Sequence, residues 1–246
     1  MGLFDIFKSK GGAGGDKKSN AAAKWAEPAA SKRAQAYDRQ EAIQELSKLG
    51  TAEAAEALLK RFTFAIEPSI TDQEEKELAF EGILKAGKDA IEPVRAFAAK
   101  AEGLSWPMRI LKGVLDEEEL VDELIVWLSK WDTEYSQFID PKLQLLEELG
   151  DHVNPKIRPV VEPFLQDVNE PARFTAVVAV LAQKEPEGLG PLLTLILDEE
   201  SVRVRAKIAE GLAVLGWEIP DGQRDAVRKV LPPQYGINGL GSITKR

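Results

Sequence analysis

Residues 198–216 read DEESVRVRAKIAEGLAVLG. An acidic turn leads into a run in which Ile208, Leu212 and Leu215 recur at helical spacing, and the run stops at Gly216. That spacing predicts an amphipathic α-helix, and a glycine is the residue that closes a helix in the left-handed conformation. Phrases of the same kind recur along the chain: IQELSKLG (43–50), EGILKAG (81–87), ILKGVLD (110–116), LQLLEELG (143–150), AVVAVLAQK (176–184) and EGLAVLG (210–216). They end near residues 50, 87, 115, 150, 182 and 216, at spacings of 37, 28, 35, 32 and 34. A near-constant period in this range marks a repeat array.

Each phrase closes one helix, and a second amphipathic stretch follows it: 52–62, 89–101, 117–131, 155–166, 187–197 and 221–231. Gly50, Gly87, Gly150 and Gly216 stand at the predicted C-caps. Pro107, Pro141, Pro155, Pro171 and Pro186 stand at boundaries or early helical turns. Period-2 alternation is brief everywhere, and the one Asn-Gly pair, Asn238-Gly239, falls in the terminal stretch rather than between apolar runs. Hairpins of about 33 residues cannot bury an apolar face alone and must stack. The expectation is an all-α solenoid of about six helical hairpins over residues 37–231. Residues 1–20 are expected as a flexible tail with a short amphipathic helix, 21–36 as a lead-in, and 232–246 as a C-terminal tail.

The chain resembles bacterial HEAT-repeat proteins, including the short HEAT-like repeats of phycobiliprotein lyases. The stretch 198–216 resembles the family pattern of acidic turn, Val-Arg, alanine-rich helix and Leu-Gly. DRQEAIQELSKLGTAEAAEALLKRF (38–62) resembles it in the same register, with Arg39 and Arg205 each eleven residues before the closing glycine. GKDAIEPVRAF (87–97) looks like a family second helix, the third repeat fits loosely, and Ala172-Arg173 is about two residues out of register. The resemblance implies a right-handed solenoid with second helices lining a concave face. It leaves two functional classes open: a non-enzymatic scaffold or adaptor, or an accessory subunit or lyase-like enzyme of the bilin lyase kind.

Composition narrows the chemistry. The 246 residues contain no cysteine and one histidine, so disulfides, thiolate metal sites and cysteine nucleophiles are all excluded. A lone His also excludes the iron-binding HEAT enzymes, which need several His-Glu motifs. Net charge is −9. Residues 36–200 carry 34 Asp/Glu against 17 Lys/Arg, and both ends are mildly basic. An acidic body repels phosphate, which argues against nucleic acid and against the HEAT-like glycosylases that act on alkylated DNA. No apolar run approaches the ~18–20 residues of a membrane span, and a cytoplasmic location is expected, with peripheral membrane contact open.

Among candidate sites, His152 reads as a solvated turn residue. Asp116-Glu117-Glu118-Glu119 reads as a helix N-terminus complementing the macrodipole rather than a cation loop. Asp198-Glu199-Glu200 with Arg203 and Arg205 reads as inter-repeat contacts. The glycine run Gly11–Gly15 lacks P-loop register and reads as a linker. No catalytic residue, cofactor or metal is expected. The helix 117–131 carries two apolar stripes, Leu120, Leu124, Trp127, Trp131 and Val121, Ile125, Leu128. Either both are buried, or Trp127 anchors a partner on the concave face. In that second reading Arg95, Glu123, Trp127, Arg158 and Glu162 form a partner-binding face for a basic or amphipathic segment of another protein. At the other end, Leu3, Phe4, Ile6 and Phe7 fall within one arc of about 160° on a helical wheel, followed by Lys8 and Lys10. They form a foot for a membrane or a partner, a cap on the first hairpin, or an unstructured end.

Overall fold

Period-3.6 stripes become helices along residues 12–246, the part of the chain that the computed structural model describes. Those residues form thirteen α-helices and one two-stranded sheet. They divide into two units between Asp116 and Glu117. Leu3, Phe4, Ile6 and Phe7 lie outside the described residues.

The first unit holds α1 (Gly12–Ala30), α2 (Ala36–Leu49), α3 (Ala52–Leu59), α4 (Ser69–Leu84), α5 (Ile91–Ala98) and α6 (Ser105–Val114). The helix α1 crosses the expected boundary at residue 20 and includes most of the expected glycine linker. Alanine is the best helix former, and the run Ala21-Ala22-Ala23 with Ala26, Ala29 and Ala30 carries the helix. Ala22 and Ala29 are buried where α1 packs on α2 and α3. The helices α2, α4 and α6 then pack in succession, and α3 packs on α5. Gly50 caps α2 at φ 58°, a left-handed residue as predicted. Gly82 serves another purpose: a Cβ there would lie 2.2 Å from the Ser47 hydroxyl, so its absence lets α4 approach α2.

The second unit holds α7 (Glu117–Leu128), α8 (Asp140–Gly150), α9 (Ile157–Val161), α10 (Glu170–Gln183), α11 (Leu189–Asp198), α12 (Val202–Leu215) and α13 (Asp221–Val230). A 3-10 turn, Glu162–Gln166, extends α9. One layer runs α8, α10, α12; the other runs α7, α9 with its 3-10 turn, α11 and α13. The third expected hairpin is thus divided, with α6 in one unit and α7 in the other. Gly150 is not the predicted left-handed cap. It is the last residue of α8, and a Cβ on it would sit 3.2 Å from the Ala179 Cα of α10, so it is a close-packing residue. Lys184 closes α10 at φ 56°, doing a glycine's work.

Residues 232–246 are not a tail. β1 (Tyr235–Ile237) and β2 (Ile243–Lys245) pair antiparallel, and β2 lies on α12. Ile243 and Ile219 are fully buried. The Ile219 amide donates to the Gly241 carbonyl at 3.0 Å, and the Ser242 hydroxyl donates to the Gly216 carbonyl at 2.9 Å. The turn is built on Asn238, whose Oδ1 accepts from the Leu240 and Ser242 amides at 2.9 and 3.0 Å. Strands of three residues leave too little alternation to read from sequence. Asn238→Ala is expected to cost about 1 kcal/mol and to speed hydrogen exchange at the Ser242 and Arg246 amides, which donate to Asn238 Oδ1 and the Gln234 carbonyl, while leaving α8 and α10 unchanged. Uniform exchange rates in the variant would contradict this hairpin.

Candidate functional site

Two of the five residues expected to line a partner face, Glu123 and Trp127, are buried. On α7 both apolar stripes are buried: Leu120, Val121, Leu124 and Leu128 are in the core, and Trp127 is only 4% exposed. The Trp127 indole donates to the Glu123 carboxylate at 2.6 Å, and Glu123 is itself buried. A tryptophan held by its own helix inside the core cannot anchor a partner. Arg158 donates to Glu185 at 2.5 Å and to Glu162 at 2.7 Å, a half-buried ion trio within the second unit. Arg95 belongs to the first unit, half-exposed beside Glu92. Of the four in the second unit, only Arg158 and Glu162 meet at a surface.

His152 is less solvated than its turn position suggests. Its ring lies 3.2 Å from Glu148 and 3.6 Å from Glu117. Glu118 and Asp122 on the first turns of α7 pair with Lys156 at 3.2 and 2.8 Å, which accounts for part of the acidic run. Among the described residues no group of three or more His, Asp or Glu is placed to hold a metal.

The Arg-acid pattern forms a charge ladder. In the second unit the Lys142 ammonium, fully buried, donates to the Asp132 carbonyl at 2.8 Å and to Asp167 at 2.7 Å. One repeat on, Arg173 donates to the Asp167 carbonyl at 2.9 Å and forks onto Glu199 at 2.7 and 2.9 Å. Each cation, early in a first helix, caps the turn before it and neutralises an acid in the turn after it. Arg205 holds the corresponding place on α12, donating to the Glu200 carbonyl at 3.4 Å. Arg203 pairs with Glu170 at 2.9 Å. In the first unit Arg39 forks onto Glu75 at 2.6 and 3.0 Å, and Arg61 reaches the same carboxylate at 2.8 Å and Asp72 at 2.7 Å. Fork geometry of this kind favours Arg.

Burial pushes the Glu199 carboxyl up, but the Arg173 guanidinium and the Ser201 amide outweigh it and hold Glu199 below the ordinary 4.5. Burial likewise opposes ionisation of Asp72, and Lys76, Arg61 and the Ile66 amide bring it below 3.8. A depressed folded-state value means these carboxylates stabilise the fold above their unfolded pKa, and that share is lost as pH falls through the folded value. Stability is expected to be level from neutrality to about pH 5.5 and to fall below about pH 4.5, with Glu199→Gln flattening the slope. Urea midpoints across this range check it; an unchanged slope in the variant would remove Glu199 from the account.

The ladder ties three turns of the second unit into one edge. The Val168 amide donates to the Thr133 carbonyl at 2.9 Å. Ser136 and Asn169 exchange two bonds at 3.2 and 3.1 Å. The Ser201 hydroxyl donates to Glu170 at 2.8 Å. These bonds fix turns 132–139, 167–169 and 199–201 side by side. Apolar residues are exposed among them: Tyr135 at 71% and Phe138 at 77% on the first turn, Val168 on the second, and Val202 at the start of α12 just after the third. Between the second and third turns lies an open notch of about 290 Å³, with Leu195, Arg173, Asp198 and Glu200 among its lining. Asp132, Glu134, Asp140, Asp198 and Glu200 are exposed along the edge, and no cation among the described residues pairs with Glu134, Asp140, Asp198 or Glu200. The edge is thus apolar and anionic together. Phe138 and Val168 lie outside the helical stripes, which is why periodicity passes over them.

No family model matches the chain, and no curated protein matches it. A solved structure described as "Computational Design of Self-Assembling Cyclic Protein Homooligomers" is 15% identical, with 87% of this chain and 78% of that one covered, at a TM-score of 0.16. A score of that size carries no argument about fold or function. No helix among the described residues is long and apolar enough to cross a membrane.

Proposed function

We propose that the protein is a non-enzymatic interaction scaffold, its repeats stacked as the HEAT-like solenoid that the resemblance implies. The edge of the second unit takes a basic, amphipathic segment of a partner protein. One observation carries this reading: Tyr135, Phe138 and Val168 on two turns, and Val202 at the start of α12 after a third, stand exposed where hydrogen bonds lock the turns together, near Glu134, Asp140, Asp198 and Glu200, with which no cation among the described residues pairs. Exposed apolar groups with a polar rim mark an interaction surface, and aromatic side chains supply most of the binding energy in such surfaces. Carboxylates that no cation among the described residues neutralises select a cationic partner and repel an anionic one.

A fluorescent amphipathic Leu/Lys peptide is the probe. Fluorescence anisotropy is expected to show salt-sensitive binding to the full chain, with Phe138→Ser weakening it about tenfold, or ~1.4 kcal/mol. Phe138 is 77% exposed, so the substitution removes little buried surface. Equal affinity for both proteins would remove the edge from this proposal.

A further inference from the structure

We propose that the edge of the second unit pairs with the same edge of a second copy of the chain, antiparallel about a two-fold axis. This rests on the reading of the edge as a dock for basic, partly apolar surface, and it names the partner that supplies one. The edge runs on past turn 199–201. Three residues join α11 to α12, which turns back along it, and five join α12 to α13, which packs on α11. So α13 lies parallel to α11, and its last turn emerges beside the turn that follows α11. The second strand of the hairpin returns to the same place: the Arg246 amide donates to the Gln234 carbonyl at 2.9 Å, and Lys245 stands opposite Tyr235 in the sheet. This fourth position is basic. Arg224 pairs with Glu218 at 2.8 Å and with Asp221 at 2.5 Å, and Arg228 pairs with Asp225 at 2.5 Å. Those three are all the acids of residues 217–246. Lys229 and Lys245 are exposed, and no acid among the described residues pairs with them. The edge therefore begins anionic, with Glu134 and Asp140, and ends cationic, with exposed apolar residues from Phe138 to Val202 along it and Asp198 and Glu200 beside Val202. Opposite charges at the two ends of one strip cannot meet within a copy. They meet when a second copy lies antiparallel: Glu134 and Asp140 of each face Lys229 and Lys245 of the other, and Val168 faces Val202. A self-complementary strip of this kind satisfies both ends at once and closes at two copies. Parallel pairing would set like charges together, at a cost.

Sedimentation equilibrium of the full chain tests this. A reversible monomer–dimer equilibrium is expected, weakening several-fold as salt rises past about 0.5 M, where the Debye length is under ~5 Å. Glu134→Lys/Asp140→Lys and Lys229→Glu/Lys245→Glu should each weaken the dimer by about tenfold or more, because each leaves both ends of the edge with one sign. Phe138→Ser should weaken it several-fold. An equimolar mixture of the two charge variants should recover the dimer as a heterodimer, since every cation then faces an acid again, and that recovery also shows both variants to be folded. A full chain that stays monomeric up to its solubility limit overturns the proposal; if that monomer binds the Leu/Lys peptide, the edge keeps its role as a dock for a foreign segment. A dimer indifferent to both charge variants overturns it as well, because another surface then joins the copies. So does a mass that climbs beyond two copies, which means head-to-tail contacts that do not close. A dimer that the mixture restores, with no peptide bound by the dilute monomer, removes the foreign segment and leaves the second copy as the partner.

Discussion

Lys142→Met is expected to lower unfolding free energy by about 3–5 kcal/mol. The ammonium it removes is fully buried and sits between the Asp132 carbonyl and the Asp167 carboxylate. Trp131 and Phe164 lie 5.9 and 5.7 Å from the cation, ring centroid to Nζ. Methionine fills a similar volume, so little cavity forms. The loss is electrostatic: the Asp167 carboxylate loses its ion pair and keeps the Asn169 amide at 2.8 Å, while the Arg173 guanidinium donates to its backbone carbonyl and is forked onto Glu199. A buried charge stripped of its partner is among the few single changes that reach this size. Lys142→Met/Asp167→Asn should recover most of it, because a neutral pair of similar shape carries no unpaired charge. Urea unfolding followed by circular dichroism measures both, and hydrogen exchange should place the change at α8 and α10. A single-variant loss under about 1 kcal/mol would mean that the cation is solvated.

Glu75→Gln should be comparably damaging in the first unit. One carboxylate there answers two guanidiniums, Arg39 and Arg61, all three side chains buried. Glutamine preserves the shape but offers one acceptor oxygen and no charge. Arg61 retains Asp72, whereas Arg39 is left with the Ala34 carbonyl at 2.8 Å. The expected loss is again about 3–5 kcal/mol, read as faster exchange in α2 and α4, with α8 and α10 unaffected as residues of the other unit. Arg39→Met in the same background should cost less than the sum of the two single changes, since the stranded charge is gone. Strict additivity would deny that the two residues share one network.

The helices were legible because a 3.6-residue period survives in every phrase, and Gly50 and Gly216 announce two stops that the backbone confirms at φ 58° and 67°. Gly150 shows the limit. Leu-Gly ends a helix in one place and admits a neighbouring helix in another, and only the α8–α10 distance separates the two meanings. On α7, stripe width does not say whether one side or both are covered, so Trp127 could be read as an anchor until its burial was seen. The charge ladder was half visible. Arg39 and Arg205 shared a register, but Arg173 reaches Glu199 from a shifted one, and a buried Lys142 contradicts the usual exposure of lysine. The edge was hidden because nothing periodic links Phe138 to Val168; hydrogen bonds between turns bring them together.

The ladder also defines a unit of inheritance. Lys142 is served by Asp167, and Arg173 by Glu199, so each cation depends on a carboxylate one turn downstream. A tandem duplication of residues 143–173 would hand the first Arg173 the copied Asp167 and leave Glu199 to the copied Arg173. Every inserted charge would arrive with its counter-charge, whereas a duplication that copied Lys142 without Asp167 would strand one. A gene encoding this array can therefore lengthen at low cost in segments cut to the ladder's phase, and recombination out of that phase leaves an ion buried without its partner.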